Sequence, residues 1–106
     1  MSVTPQRAFE LISRGEVDVV DVRNAEEWAS GVVPSARLVP LSELRASPEK
    51  SLPRDCVLFV CAGGVRSQTA GRIALAHGLH TVYSVIGGMD SWGRAGLPVE
   101  HEQVAV

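Results

Sequence analysis

Long apolar runs are missing from this chain. The longest, residues 56–65, has ten residues and includes two glycines, against about 20 for a membrane-spanning helix. No basic stretch followed by an apolar segment opens the sequence, so no secretion signal is expected. Basic clusters are absent as well. Lys50 is the single lysine, and the net charge is −2. That balance argues against a nucleic-acid partner, which calls for a basic patch or stripe. Cysteine is scarce: Cys56 and Cys61 are the two in the chain. Placed on one strand, five residues apart, their Cα atoms stand about 16 Å from each other. A disulfide needs less than about 7 Å, so the pair is not a bridge, and a reducing cytoplasm is the expected compartment.

What remains describes an ordinary folded domain. The chain of 106 residues is 45% hydrophobic and 21% charged, which excludes disorder and suits one domain over residues 1–106. Thr4-Pro5 reads as an N-cap followed by proline at the first helical position, with the helix ending at Gly15. Residues 17–22 form a valine-rich strand of the kind covered on both faces. Asn24 and Glu27 have capping-box spacing for a short helix to Ser30. Residues 37–39 suggest a strand followed by a helical turn from Ser42, and residues 47–54, with two prolines, suggest a loop. The wholly apolar residues 57–60 give the strongest strand. A helix follows over residues 66–77, then a strand over 81–86, then Gly87-Gly88 and a short helix through Trp92. Strands alternating with helices imply a parallel sheet within an α/β layered sandwich.

Ligands of parallel sheets gather at the carboxyl ends of the strands, and two segments fall there. One is Asp21-Val22-Arg23. The other is Cys61-Ala62-Gly63-Gly64-Val65-Arg66-Ser67, which closes the central strand and opens a helix. Helix N-terminal amides and a nearby arginine both favour thiolate over thiol. Gly63 and Gly64 allow backbone angles forbidden to other residues, so that successive N–H groups can turn inward around an anion. Arg66 opposes the helix dipole, where an acidic residue is preferred, and such a broken rule points to function. No acidic residue lies between Asp55 and Asp90, so the loop is expected to be locally positive. Cys56, at the other end of the strand, reads as structural. His77 and His80 have metal-ligand spacing without a second ligand pair, so no metal is expected. No histidine falls at a carboxyl end to serve as base for a cysteine hydrolase.

In order and spacing these residues resemble a single-domain rhodanese, a sulfurtransferase module. The likeness runs through Asp21-Val22-Arg23, Glu26-Glu27-Trp28, Gly31-Val32-Val33-Pro34-Ser35-Ala36, Pro40-Leu41, the loop from Cys61 to Ser67, Gly87-Gly88, Trp92 and Gly96-Leu97-Pro98-Val99. It implies a three-layer α/β/α sandwich around a mostly parallel sheet of four to five strands, with Ser2-Val3 as a short first strand. It further implies that Cys61 carries a persulfide, cradled by the amides of Ala62, Gly63, Gly64, Val65, Arg66 and Ser67, and that no cofactor is required. The donor would be a small anion, thiosulfate or polysulfide. The acceptor would be cyanide or a thiol, a protein thiol included, with no nucleic acid or membrane involved.

Asp21, Arg23, Glu27 and Trp92 are the supporting residues, Trp92 assigned to the core in preference to the pocket mouth. The sequence departs from the family pattern at Val32, where histidine is common, at Ala62, where a polar or basic side chain is common, and at Glu27, where two-domain thiosulfate enzymes carry a basic residue. Glu27 is expected to pair with Arg23, and thiosulfate affinity is expected to be weak. Related phosphatases place five residues between cysteine and arginine; the four here suit one sulfur better than a phosphate. The alternatives are a non-catalytic persulfide-binding or interaction module and a phosphatase or arsenate reductase.

Overall fold

The computed structural model describes residues 1–52 and 54–101. Five strands form one parallel sheet: β1 (Ser2–Val3), β2 (Asp18–Asp21), β3 (Arg37–Leu38), β4 (Val57–Val60) and β5 (Val82–Val85), in the order β1-β5-β4-β2-β3. Helices cover both faces, which gives the three-layer α/β/α sandwich expected. Strand side chains alternate between the faces. Val20, Val57 and Phe59 pack with Leu44, Ala70 and Ala74 on one side. Val19, Leu58, Val60 and Val85 pack with Ala8 and Trp92 on the other.

Helix α1 (Pro5–Ser13) starts as its sequence signals: Thr4 Oγ1 accepts the Arg7 amide at 3.1 Å, and Pro5 sits in the first turn. The expected short helix after β2 is a 3-10 helix, Ala25–Ser30. Helix α2 (Leu41–Ala46) follows β3, α4 (Val65–Ala76) follows β4, and α5 (Gly88–Arg94) follows β5. Residues 47–54 are not wholly a loop, because Pro48–Ser51 forms a further helix, α3. Pro48, like Pro5, stands at a first helical position, where proline loses no intrahelical bond, although Ser47 makes no side-chain cap of the kind Thr4 makes.

Topology places the site. From β2 the chain moves outward to β3, whereas from β4 it moves the opposite way to β5. The loops leaving the carboxyl ends of the adjacent strands β2 and β4 therefore diverge and open a crevice between them. Arg23 lies just past the end of β2 and Cys61 just past the end of β4. Cys56 precedes β4 at the opposite end, and both cysteines are free thiols. No described helix is long and apolar enough to cross a membrane.

Candidate active site

Cys61 is almost fully buried at 1% exposure, and its sulfur is held by backbone. The amides of Gly64 and Ser67 donate to Sγ at 3.1 and 3.3 Å. Their convergence needs a turn that only glycine makes readily. Gly64 has φ +101°, and a Cβ there would come within 3.2 Å of the Gly87 amide nitrogen. Gly63 is different: its φ is not positive and the space beside it is open, so one glycine, not two, is required by the cradle. Ser67 Oγ lies 3.6 Å from the sulfur and 2.6 Å from Ser84 Oγ. Ser84, buried on β5, is a site neighbour that the sequence motifs do not include. Its one signal there is a lone serine within the β-branched run of residues 81–86.

The supporting charges pair differently from expectation. Arg23 does not take Glu27. Its Nε and Nη2 bind the Asp21 carboxylate at 2.9–3.1 Å, and both residues are buried. The same guanidinium donates to the carbonyls of Glu27 and Gly31 at 3.2 and 2.7 Å. It thereby ties the 3-10 helix to the end of β2. Glu27 instead takes Arg66, its two oxygens accepting Nη1 and Nη2 at 2.6 and 2.8 Å. Glu27 Oε1 also accepts the Asn24 amide at 3.0 Å. The Arg66 guanidinium, followed by that amide, lowers the Glu27 pKa to about 2. Glu27 in turn raises the pKa of Arg66, with a smaller contribution from Cys61.

The expected positive loop is thus neutralised from across the crevice, by an acid 39 residues away in sequence. Arg66 breaks the dipole rule because it faces a carboxylate. Trp92 is fully buried, with Nε1 donating to the Pro98 carbonyl at 2.9 Å. It packs edge-on against Phe9, which makes it a core residue that anchors α5.

A cavity of about 450 Å³ opens beside the loop, reaching it at Ala62. Arg23, Glu27 and Gly31 form one side, and Met89, Asp90, Gly93, Leu97 and Val99 line the rest. The sequence marks Asp90 only as the end of an acid-free stretch and gives no sign of Met89 as a wall of this cavity. Among the described residues no three histidine, cysteine or acidic side chains come together to hold a metal. His77 is exposed, and His80 faces Asp55 at 3.6 Å.

A sulfur at a strand's end is thus held by inward-turned amides at the N-terminus of a helix, an arrangement suited to an anionic sulfur. The rhodanese-like domain model matches residues 4–95, and this chain belongs to that family. Among curated proteins it is similar to the thiosulfate sulfurtransferase GlpE of Actinobacillus succinogenes, 34% identical over 92% of this chain and 88% of that one. Among solved structures it is similar to a rhodanese-related protein from Thermoplasma volcanium, with TM-score 0.85 and 33% identity, covering 95% of this chain and 98% of that one. A structure from Rhodopseudomonas palustris, described as a possible tyrosine phosphatase, has TM-score 0.81 and 30% identity over 93% of this chain and 83% of its own.

Proposed function

We propose that this chain is a rhodanese-type sulfurtransferase that carries sulfane sulfur as a persulfide on Cys61. The observation that carries the reading is the pair of amides, Gly64 and Ser67, aimed at Sγ beside an open cavity. Fixed donors of this kind stabilise an anionic sulfur without reorganising, as an oxyanion hole does for oxygen. In the first half-reaction the Cys61 thiolate attacks the outer sulfur of a donor such as thiosulfate or a polysulfide. With thiosulfate, a Cys61 Sγ–S bond forms, the S–S bond of the donor breaks, and its electron pair leaves on sulfite. In the second, a thiolate or cyanide attacks that outer sulfur and the electron pair returns to Sγ. Splitting the transfer in two is nucleophilic catalysis of the ordinary kind, and the step needs no cofactor. A thiol that must stay reduced between turnovers suits a cytoplasmic protein. Residues 1–106 would act together as one domain, with small anions and thiols as partners.

Arg66 weighs against the phosphatase reading. A phosphate cradle needs a free guanidinium for bidentate contact, and this one is occupied by Glu27. The same pairing supports weak thiosulfate binding, which a Michaelis constant in the low micromolar range would contradict. The test of the whole reading is mass measurement of the intact protein after exposure to thiosulfate or polysulfide. Wild type and Cys56→Ser gain one sulfur, and Cys61→Ser gains none. Equal gain in Cys61→Ser sinks the assignment. Absence of loading from every donor would favour an interaction module.

A further inference from the structure

The cavity is far larger than the atom the cradle holds. At about 450 Å³ it falls among sites that enclose small organic molecules, roughly 300–1,000 Å³. The Gly64 and Ser67 amides hold only the Cys61 sulfur itself. The walls are of two kinds. Ala62, Met89, Leu97 and Val99 present apolar surface, while Arg23, Glu27 and Asp90 are its charged members. Arg23 is committed to Asp21 and to two carbonyls, so it offers an incoming anion little.

Glu27 holds Arg66, so that guanidinium is occupied as well. Asp90 is exposed, and among the described residues its carboxylate has no ion-pair partner. Its amide donates to the Ala62 carbonyl at 3.0 Å, which fixes the residue at the edge where cavity meets loop. Arg94, one turn further along α5, turns to Ser91 Oγ at 3.2 Å and is not among the cavity's lining residues, so Asp90 is the charged side chain of this wall without an ion-pair partner among the described residues. Within a Debye length, about 8 Å at physiological salt, such a charge sorts incoming molecules by sign.

We propose that the acceptor this cavity favours is a small organic thiol bearing an ammonium group, and that Asp90 sets that preference while Glu27 keeps Arg66 from opposing it. This rests on the sulfurtransferase reading and names its acceptor class. The carbon skeleton lies against Met89, Leu97 and Val99, and the ammonium faces the Asp90 carboxylate. The thiolate attacks the outer sulfur of the Cys61 persulfide. A new S–S bond forms on the acceptor, the Cys61 Sγ–S bond breaks, and its electron pair leaves on Sγ. The persulfide takes a proton from solvent before the attack and keeps it on the transferred sulfur, so the products are an organic persulfide and the Cys61 thiolate.

The experiment loads the full chain with one sulfur from inorganic polysulfide, removes the excess and follows persulfide loss by intact mass. Cysteamine, 2-mercaptoethanol and 3-mercaptopropionate serve as cationic, neutral and anionic acceptors, with each rate expressed per thiolate. The expected order is cysteamine, mercaptoethanol, mercaptopropionate. The ends should differ by about fivefold or more, roughly 1 kcal/mol in barrier. Asp90→Asn compresses this order, and Glu27→Gln, which frees Arg66, turns it toward the anionic thiol. Equal rates for the three thiols, or an order untouched by Asp90→Asn, overturns the inference while leaving sulfur transfer intact. A wild-type chain that never loads sulfur overturns the sulfurtransferase reading, and this one with it.

Discussion

Gly88 is the position at which one methyl group should do the most damage. The first amides of α5 reach back to the loop: Met89 N–H donates to the Cys61 carbonyl at 2.7 Å and Asp90 N–H to the Ala62 carbonyl at 3.0 Å. For those amides to come so close, Gly88 adopts φ +56° with no room beside it. A Cβ there would fall on the Cys61 carbonyl oxygen and within 2.6 Å of the Ala62 carbonyl oxygen. Both obstacles are backbone, so neither can rotate aside.

Gly88→Ala therefore carries three costs. The left-handed conformation costs about 1–2 kcal/mol for a residue with a Cβ. Displacing α5 from the loop adds about 1–3 kcal/mol, the usual range for overpacking. Weakening the two hydrogen bonds removes up to about 1 kcal/mol each. The loss should be about 2–7 kcal/mol, a large part of the roughly 5–15 kcal/mol a domain of this size has. Gly78→Ala separates these contributions. Gly78 has φ +96°, and a Cβ there would meet nothing within 4 Å, so it reports the conformational cost alone, about 1–2 kcal/mol. Urea unfolding of both variants gives the difference, and mass measurement gives sulfur loading, which should slow in Gly88→Ala as the Cys61 carbonyl shifts. If Gly88→Ala is no less stable than Gly78→Ala and loads like wild type, the contact between α5 and the loop does not hold the cradle.

Two further outcomes follow from the ion pairs. Asp21→Ala leaves the Arg23 guanidinium buried with only carbonyl partners, and should cost about 3–5 kcal/mol in urea unfolding; a loss below about 1 kcal/mol would refute the pairing's importance. Glu27 is held at a pKa of about 2 against an ordinary 4.5, so the unfolded chain binds its proton more readily than the folded one. The Glu27–Arg66 contribution is then fully present above about pH 4.5, and it fades as pH falls toward 2. Partial exposure limits it to about 1 kcal/mol. Stability measured from pH 6 down to pH 3 should fall less steeply in Glu27→Gln than in wild type, and parallel curves would contradict the assignment.

Local features of the site are legible in the sequence. A short apolar strand, a cysteine, glycines and a helix start lie within a dozen residues, so adjacency alone brings Cys61, Gly64 and Ser67 together. Pairings across the crevice are not legible in the same way. Glu27 and Arg66 are far apart in sequence, and only the parallel pairing of β2 with β4 brings the segments that follow those strands side by side. The acid-free stretch misleads for the same reason: charge density along the chain says nothing about which carboxylate a neighbouring strand will deliver. The partner of Arg23 is recoverable. Asp21 and Arg23 are two residues apart at the end of a strand, where side chains of that spacing share a face, and this points to their mutual pairing. Likewise, the rule that finds α1 at Thr4-Pro5 also finds α3 at Ser47-Pro48.

These pairings change what the cradle can be asked to do. Arg23 is occupied by Asp21 and Arg66 by Glu27, so the donors pointed at Cys61 Sγ are amides of the main chain. Backbone donors fixed by a helix start and a left-handed glycine supply direction and cost no rotamer entropy when charge develops on the sulfur. They also carry no net charge, so they stabilise the bound sulfur without attracting every anion in solution. The selection proposed above then falls to the cavity wall, where Asp90 has no ion-pair partner among the described residues. With the positive charges placed in ion pairs, the proposed function divides into two tasks: the loop to hold one sulfur, and the wall to select the molecule that takes it away.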